Sequence, residues 1–237
     1  MSPPLFLVDA LPAGDSARLD GPEGRHAADV QRLRVGETLL LGDGRGTVAR
    51  ATVTAVSRGV LSLDLGERRS RPAPRPALTV VQGIAKGDRG ELAVQAMTEV
   101  GVDTIVPWAA ARSIAKWRDE RPLERWRATA REAAKQARRP WLPAVTTAES
   151  TAVVARRLSS ASFVLDEAAQ SRLSTVDLPP ADDIVLVVGP EGGISPEELA
   201  AFASAGAVPV RLGDSVLRTS TAGVAALSVL STRLGRW

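Results

Sequence analysis

The alternation of hydrophobic and polar positions is regular in the first third of the chain. Between residues 36 and 65, hydrophobic side chains stand at every second position, as in Ala49–Ala55 and Leu61–Leu65. This period of two predicts three short, half-buried strands. The glycines of GDGRG (42–46) favour a hairpin turn, because no helical pattern follows them. We therefore predict a small β-barrel domain over residues 1–72.

The pattern changes after the proline-rich stretch RPAPRP (71–76), which blocks both helix and strand. Nearly continuous hydrophobic runs now alternate with amphipathic segments. The runs predict buried strands at 78–84, 103–108, 162–167, 184–188 and 208–212. The segments between and after them predict helices from Asp88 to Gly101, Pro122 to Arg139, Ser195 to Ala205 and Thr219 to Leu234. Such alternation is typical of an α/β domain with a parallel sheet, here residues 73–237.

Capping residues mark the start of two of these helices. Asp88 is followed three residues later by Glu91, and Ser195 is followed by Pro196 and Glu198. Both spacings predict a capping box, in which each side chain binds the backbone of the other residue.

The composition excludes several kinds of chemistry. The 237 residues contain no cysteine and one histidine. Disulfides, thiolate sites, Ser-His-Asp triads and multi-histidine metal sites therefore lack their residues, and we expect no metal. The hydrophobic runs are too short to span a membrane, and the N-terminal stretch has no basic region typical of a signal peptide. We expect a cytoplasmic protein.

The charge is unevenly distributed, although the net charge is only +3. Between Arg112 and Arg139, ten basic residues stand against four acidic ones. A basic stripe of this kind is typical of a surface that binds a phosphate backbone. A solvated helix face is the alternative interpretation.

The glycine loop GPEGG (189–193) follows a predicted strand and leads into the helix capped by Ser195. Glu197 and Glu198 in the first turn disfavour a phosphate, and the loop matches neither a dinucleotide-binding nor a Walker A motif. It suits an adenine ring or ribose held by close backbone contacts, and a tight strand-to-helix turn is the alternative. On the first interpretation, Gly192→Val fills the space between backbone and ligand.

A second loop, LGDSVLRTSTAG (212–223), ends the next predicted strand, so we expect the two loops side by side at one sheet edge. It offers hydroxyl groups and Arg218 but no obvious nucleophile. Such a site suits a cofactor that carries its own reactive group.

These two loops resemble those of the SPOUT class of methyltransferases, and in particular the ribosomal RNA small subunit methyltransferase E family. Three further stretches, in the family's order, resemble the same family: HAADVQRLRVGETLLLGDGRG (26–46), GIAKGDRGELAVQAMTEVGVDTIVPWAAARSIAKW (83–117) and EAAKQARRPWLPAV (132–145).

The resemblance implies a fold, a reaction and partners. The fold is a SPOUT domain, with a parallel sheet and a deep trefoil knot, preceded by a PUA-like RNA-binding β-barrel. The reaction is methylation of N3 of a specific uridine in 16S rRNA of the 30S subunit, with S-adenosyl-L-methionine as donor. The partner of each chain is a second copy, in a homodimer with the active site near the subunit interface.

Site residues follow from the matching segments. For cofactor binding we expect Leu165, Gly189, Pro190, Glu191, Gly192, Gly193, Leu212, Gly213, Val216, Leu217, Arg218 and Thr221. For RNA binding we expect His26, Arg32, Arg34, Lys86, Arg112, Gln136 and Arg138.

Two residues are candidates for the chemistry. Loss of the N3 proton places negative charge on the uracil oxygens, and Arg218 is the candidate cation that stabilises this charge. Glu191 is the candidate for accepting the proton or binding a cofactor hydroxyl. The structural alternatives are a bond from Arg218 to a backbone carbonyl and an internal cap by Glu191.

The sequence departs from the family pattern in two places, and no function is assigned to residues 4–8. Ser220 stands where the family often has glutamate, and PLFLVD (4–9) lacks the family's early arginine. The alternatives are a related SPOUT enzyme acting on a ribose 2′-hydroxyl or on tRNA, and a non-catalytic RNA-binding assembly factor.

Overall fold

Two units divide the chain in the computed structural model, which describes residues 3–237. The first unit contains the chain up to Ala73 together with Ala134–Leu142. The second contains Pro74–Ala133 and Pro143–Trp237. The sequence pattern gave no reason to assign Ala134–Leu142 to the first unit.

The first unit is built on a five-stranded sheet in the order β1-β3-β4-β5-β2. Its elements are β1 (Leu5–Leu7), β2 (Ser16–Leu19), α1 (Gly21–Arg25), a π-helical turn (His26–Val30), β3 (Thr38–Gly42), β4 (Thr47–Ser57) and β5 (Val60–Ser70). The strands β3, β4 and β5 confirm the period-two prediction, because their alternate residues, such as Leu61 and Leu63, are buried in one core. At the predicted hairpin, Asp43 Oδ1 accepts from the backbone N–H groups of Arg45 and Thr47, at 2.7 and 3.0 Å.

The segment Ala134–Leu142 is bonded to the hairpin between β3 and β4. The Gly46 N–H donates to the Pro140 carbonyl and the Leu142 N–H to the Gly44 carbonyl, both at 2.9 Å. The indole N–H of Trp141 donates to the carbonyl of Arg71 at 2.9 Å. These bonds make a distant stretch of sequence part of the first unit.

The second unit contains a parallel sheet in the order β12-β10-β11-β6-β7-β8, with β9 also paired to β7. Its strands are β6 (Ala77–Gly83), β7 (Thr104–Ala109), β8 (Ala144–Val145), β9 (Glu149–Ser150), β10 (Ser162–Leu165), β11 (Asp183–Val188) and β12 (Val208–Val210). The helices are α2 (Arg89–Glu99), α3 (Arg121–Gln136, whose last residues lie in the first unit), α4 (Thr151–Ala155), α5 (Pro196–Ser204) and α6 (Thr219–Arg233). The predicted parallel α/β sheet is confirmed.

Both faces of this sheet are buried. Along β11, Ile184, Leu186 and Val188 pack into one core, while Val185 and Val187 pack into the other. Burial on both faces explains why the strands are nearly continuous hydrophobic runs. Because both faces are covered, the polar groups of a binding site are expected at the carboxyl ends of the strands.

One of the two predicted capping boxes is present, and one predicted helix ends earlier than expected. The capping box at Ser195 and Glu198 is confirmed. The box at Asp88 is wrong, because the Asp88 side chain makes no capping bond and Glu91 pairs with Arg125 at 3.1 Å. The helix predicted to reach Arg139 ends at Gln136, and the backbone of Arg138 has a left-handed φ of 51°, which a continuing helix cannot accommodate.

Candidate active site

A cavity of about 780 Å³ lies at the carboxyl ends of β10, β11 and β12. Residues 165–167, 188–194 and 210–219 form most of its wall, and Arg89, Arg112, Leu199 and Ala222 complete it. The volume is in the range of pockets that hold a cofactor-sized molecule. The second unit therefore has a cavity of suitable size at the edge where open α/β sheets bind their ligands.

The two glycine-containing loops are not neighbours in the sheet. The strand β10 lies between β11 and β12, so the two loops follow strands that are not adjacent. The loops nevertheless line one cavity, and Thr219 bonds Gly189, so the expectation that they come together at one sheet edge is confirmed. The end of β10 and the turn after it add Leu165, Asp166 and Glu167 to the cavity wall. Sequence order placed β12 next to β11, whereas the sheet inserts an earlier strand.

The glycine loop is tied by Glu191 to the segment before α2. The Glu191 Oε1 accepts a hydrogen bond from the Lys86 backbone N–H at 3.0 Å and from Arg89 Nη1 at 3.3 Å. The Glu191 Oε2 is buried and has no hydrogen-bond partner within residues 3–237. One oxygen of this carboxylate thus fixes the loop, and the other remains available to a bound group.

The second loop is tied to the first through Thr219. Its hydroxyl donates to the Gly189 carbonyl at 2.7 Å and accepts from Gln82 Nε2 at 2.9 Å. Gln82 is fully buried at the end of β6 and also donates to the Gly83 carbonyl at 3.2 Å. A buried polar network of this kind holds both loops in one arrangement.

Two glycines in the loops serve different purposes. A Cβ atom at Gly192 would stand 2.9 Å from the Arg112 carbonyl oxygen and 3.0 Å from its Cβ. Glycine is thus required there by the close approach of the protein's own backbone. A Cβ at Gly213 would meet no protein atom within 4 Å, so that part of the wall faces open space.

The charges around the cavity differ in how they are paired. Asp214 accepts from Arg172 at 3.0 Å and lies 3.5 Å from the Arg211 guanidinium. The guanidinium of Arg218, which lies at the N-cap of α6, makes no hydrogen bond or ion pair with any described residue. Arg218 is therefore a cation that a ligand can engage, and the alternative of a bond to a backbone carbonyl is not seen.

The start of α5 is unsuited to a phosphate. Glu197 is exposed in its first turn, and a hydrogen bond with Ser195 lowers the pKa of its carboxyl group. An ionised carboxylate next to this helix terminus repels an anion. The sequence argument against a nucleotide phosphate agrees with this arrangement.

Nearly all the residues expected to bind the cofactor come together in the cavity wall. These are Leu165, Gly189, Pro190, Glu191, Gly192, Gly193, Leu212, Gly213, Val216, Leu217 and Arg218. Thr221 does not line the cavity, because its hydroxyl donates to the Arg218 carbonyl at 3.1 Å in the first turn of α6.

The residues expected to bind RNA fall into two groups. Lys86 and Arg112 are exposed beside the glycine loop in the second unit. The others belong to the first unit: His26, Arg32, Arg34, Gln136 and Arg138. The ring of His26 lies edge-on to Phe6, with a centroid separation of 5.9 Å, and Arg32 has a left-handed φ of 54°.

Several residues at the site had no prediction from the sequence. Arg89, Asp166, Glu167, Arg211 and Asp214 line the cavity, and Thr219 and Gln82 fix its loops. The signal for Arg89 was its place in AKGDR (85–89), three residues after Lys86. The signal for Asp166 and Glu167 was their place directly after Leu165, at the end of a predicted strand.

The part of the chain that the structure describes contains neither a metal-binding cluster nor a membrane-spanning helix. Within residues 3–237, no group of three or more histidine, cysteine, aspartate or glutamate side chains is arranged to hold a metal ion. Over the same residues, no helix has the length and hydrophobicity needed to cross a membrane.

Two known domain families match this sequence. Residues 71–231 match the RNA methyltransferase domain, and residues 19–64 match the RNA methyltransferase PUA domain. The first match covers more than half of the chain and includes the whole cavity.

Relatives and solved structures agree with these matches. The chain is 46% identical to the ribosomal RNA small subunit methyltransferase E of Mycobacterium bovis, over 98% of this chain and 93% of the relative. The crystal structure of the same-named protein from Neisseria gonorrhoeae bound to S-adenosyl methionine has a TM-score of 0.89 and 28% identity, covering 98% of both chains. A methyltransferase from Legionella pneumophila, in complex with the same cofactor, has a TM-score of 0.88 and 27% identity, again covering 98% of both chains.

Proposed function

The chain belongs to the ribosomal RNA small subunit methyltransferase E family, and from this premise we propose that it methylates N3 of a specific uridine in 16S rRNA. The methyl donor is S-adenosyl-L-methionine. The observation that supports this proposal most directly is the cavity at the ends of β10, β11 and β12, in which backbone groups and one unpaired cation face a common space.

The cavity fits an adenosyl cofactor better than a nucleotide phosphate. Gly213 leaves open space at the wall, and the peptide groups of the glycine loop and of residues 212–217 offer donors and acceptors to a base and a ribose. The carboxylates at the start of α5 disfavour a phosphate. The buried Glu191 Oε2 is an acceptor that a hydroxyl can satisfy.

The protein's part in the reaction is positioning and charge stabilisation. When bound, S-adenosylmethionine supplies a methyl group made electrophilic by its positively charged sulfur. Uridine N3 must lose its proton and present a lone pair, which requires an unpaired or flipped base. We assign to Arg218, which lines the cavity, the stabilisation of the negative charge that then develops on the uracil oxygens.

Two roles for Glu191 can be separated by experiment. If its Oε2 accepts the N3 proton, Glu191→Gln lowers kcat and leaves cofactor affinity near that of the wild type. If it binds a cofactor hydroxyl, the same change raises the Kd for S-adenosylmethionine. Isothermal titration calorimetry together with single-turnover kinetics distinguishes the two.

The RNA contacts are assigned to basic side chains in both units. Lys86 and Arg112 stand beside the cavity, where they can bind the phosphates that flank the target uridine. In the first unit, the exposed side chains of Arg32, Arg34 and Arg138 carry the positive charge that a PUA domain needs to bind RNA.

We also propose that the active form is a homodimer in the cytoplasm, where its ribosomal substrate is found. Two large hydrophobic side chains of the cavity wall are exposed, with Val216 at 73% and Leu217 at 41% of their full accessibility. A hydrophobic patch of this kind is typical of a surface covered by another chain. Size-exclusion chromatography with light scattering should give twice the mass of the 24.9 kDa chain, and a monomer at micromolar concentration would contradict the dimer.

The decisive test uses 30S subunits from a strain that lacks the modification. They are incubated with the purified protein and S-adenosylmethionine, and the methylated nucleotide is mapped by mass spectrometry. We expect N3-methyluridine in 16S rRNA. Methylation of a ribose or of tRNA would replace the proposal with a related SPOUT activity, and absence of cofactor binding would indicate an assembly factor.

A further inference from the structure

Glu198 makes more bonds than a helix cap requires. Its side chain is buried, with only 4% of the residue exposed. Its Oε2 accepts from the Ser195 N–H at 3.1 Å, which completes the capping box. Its Oε1 accepts from the Ala111 backbone N–H and from the Thr151 hydroxyl, both at 2.8 Å. The second oxygen therefore joins α5 to two other segments.

One of those segments carries Arg112. Ala111, whose N–H binds Glu198, immediately precedes Arg112 in the turn after β7. The backbone of Arg112 lies over Gly192, and its Nη1 is 3.4 Å from the Gly192 carbonyl oxygen. The position of Arg112 at the cavity thus depends on the backbone bond next to it.

The other segment keeps the carboxylate in place. Thr151, at the start of α4, accepts a hydrogen bond from the Trp108 indole N–H at 3.1 Å. The Trp108 ring packs edge-on against Phe202 of α5, with a centroid separation of 5.2 Å. The Oε1 of Glu198 is therefore bonded to both Ala111 and Thr151. Because Thr151 is also bonded to Trp108 of β7, the carboxylate is anchored to the sheet.

We propose that Glu198 is a positioning residue for Arg112: its carboxylate fixes the backbone of residues 111–112 over the glycine loop, so that the Arg112 guanidinium stands ready for an RNA phosphate. This inference rests on the proposed function and names how one RNA contact of that site is set. Glu198 itself does not touch the reacting groups.

A carboxylate is suited to this task because three donors converge on it and it has no hydrogen to donate. A glutamine at this position keeps one oxygen. The oxygen is best placed toward Ala111 and Thr151, which together offer two donors, while the amide nitrogen faces the Ser195 N–H. Glu198→Gln thus keeps the link to Arg112 and loses the cap, whereas Glu198→Ala loses both.

The experiment compares Arg112→Ala, Glu198→Ala, Glu198→Gln and Ser195→Ala, with the double variants Glu198→Ala/Arg112→Ala and Ser195→Ala/Arg112→Ala. Ser195→Ala is the matched control, because it removes the hydroxyl cap of α5 and leaves the Ala111 bond in place. For each protein, KM and kcat for the 30S substrate, Kd for S-adenosylmethionine and hydrogen exchange at residues 111–113 are measured.

If Glu198 acts through Arg112, Arg112→Ala and Glu198→Ala each raise KM for the substrate about tenfold or more, as the loss of a charged hydrogen bond predicts. The KM of Glu198→Ala/Arg112→Ala is then no higher than that of the single variant with the higher KM. In Ser195→Ala/Arg112→Ala, by contrast, the effects of the two substitutions on KM multiply. Glu198→Gln recovers most of the loss seen with Glu198→Ala. Exchange at residue 111 speeds up in Glu198→Ala and not in Ser195→Ala.

The inference is overturned if the increases in KM caused by Glu198→Ala and Arg112→Ala multiply in the double variant. It is also overturned if Glu198→Ala raises the Kd for S-adenosylmethionine by as large a factor as the KM for the 30S substrate. It is also overturned if exchange at residue 111 stays slow in Glu198→Ala, a readout that needs no turnover. Failure of the proposed function is separate, because it shows as a wild-type protein that does not methylate 30S subunits. If Glu198→Ala fails to fold, the test rests on Glu198→Gln, in which amide hydrogen exchange at residue 111 must be as slow as in the wild type.

Discussion

The hydroxyl of Thr219 donates a 2.7 Å hydrogen bond to the carbonyl of Gly189 and so joins the start of α6 to the start of the glycine loop. Gly189 is the first residue of the glycine loop, and Thr219 is the first residue of α6. Because Gln82 donates to the same hydroxyl from β6, the sheet itself sets the distance between the two loops.

Replacement of Thr219 by valine should therefore weaken cofactor binding. Valine keeps the shape of threonine, but it leaves the Gly189 carbonyl and the Gln82 amide without their partner. We expect the free energy of unfolding to fall by about 2 kcal/mol and the Kd for S-adenosylmethionine to rise about tenfold. Calorimetry and thermal unfolding measure the two effects. Thr219→Ser keeps the hydroxyl and serves as the control, and equal Kd values for the two variants would contradict the role of this bond.

Gly192→Ala should disturb Arg112 before it disturbs any ligand. Its Cβ would stand 2.9 Å from the Arg112 carbonyl oxygen, so the turn after β7 must move. We expect a loss of about 1–3 kcal/mol of stability, typical of overpacking, and a raised KM for RNA. The comparison is Gly213→Ala, whose Cβ meets no protein atom and should leave stability unchanged. Equal melting temperatures for both variants would show that the Arg112 turn yields freely.

Glu191→Ala should loosen the segment that contains Lys86. The carboxylate accepts the Lys86 N–H, whereas its ion pair with Arg89 involves a guanidinium whose side chain is 44% exposed. We expect fast amide exchange at Lys86 in Glu191→Ala. Arg89→Ala removes only the exposed pair, which contributes at most about 1 kcal/mol, and should leave that amide protected. Fast exchange in Arg89→Ala alone would mean that the ion pair, and not the backbone bond, holds the segment.

The pH dependence of stability should contain a contribution from Asp183. Partial burial of its carboxyl group raises the pKa, the Thr79 hydroxyl opposes this by donating to it, and nearby Asp103 adds to the rise. The folded state then binds this proton more tightly than the unfolded state. The contribution is most favourable at acid pH and is lost as pH rises through the folded pKa.

Asp183→Asn should remove this fall in stability between acid and neutral pH, while its amide oxygen can still accept from Thr79. Thr79→Val removes the opposing hydrogen bond and should make the fall steeper. Urea unfolding at a series of pH values measures both. A steeper fall in Asp183→Asn than in the wild type would contradict the assignment.

Much of the fold could be predicted from local patterns. The alternation at Leu61 and Leu63 marked β5, and the cap at Ser195 marked the start of α5, because these signals depend on neighbouring residues alone. The strands β1, β8 and β9 are only two or three residues long and leave no periodic signal. The trefoil knot stays a prediction, as do the roles of the site residues.

The site was predictable in its backbone and less so in its side chains. The sequence alone identified the glycine loop and Arg218 as candidate parts of the site. The insertion of β10 between β11 and β12, which brings Glu167 to the cavity, is a long-range pairing that no local pattern encodes. The same holds for the bond from Glu198 to Ala111, which joins residues far apart in sequence.

The inclusion of Ala134–Leu142 in the first unit has consequences for truncation of the chain and for its folding during synthesis. A fragment that stops at residue 72, the predicted domain limit, lacks Trp141 and the partners of Gly44 and Gly46. On a ribosome, the first unit emerges early yet cannot close its hairpin contacts until Leu142 has been synthesised. The first unit is therefore complete only after residues 74–133 of the second unit have also been synthesised.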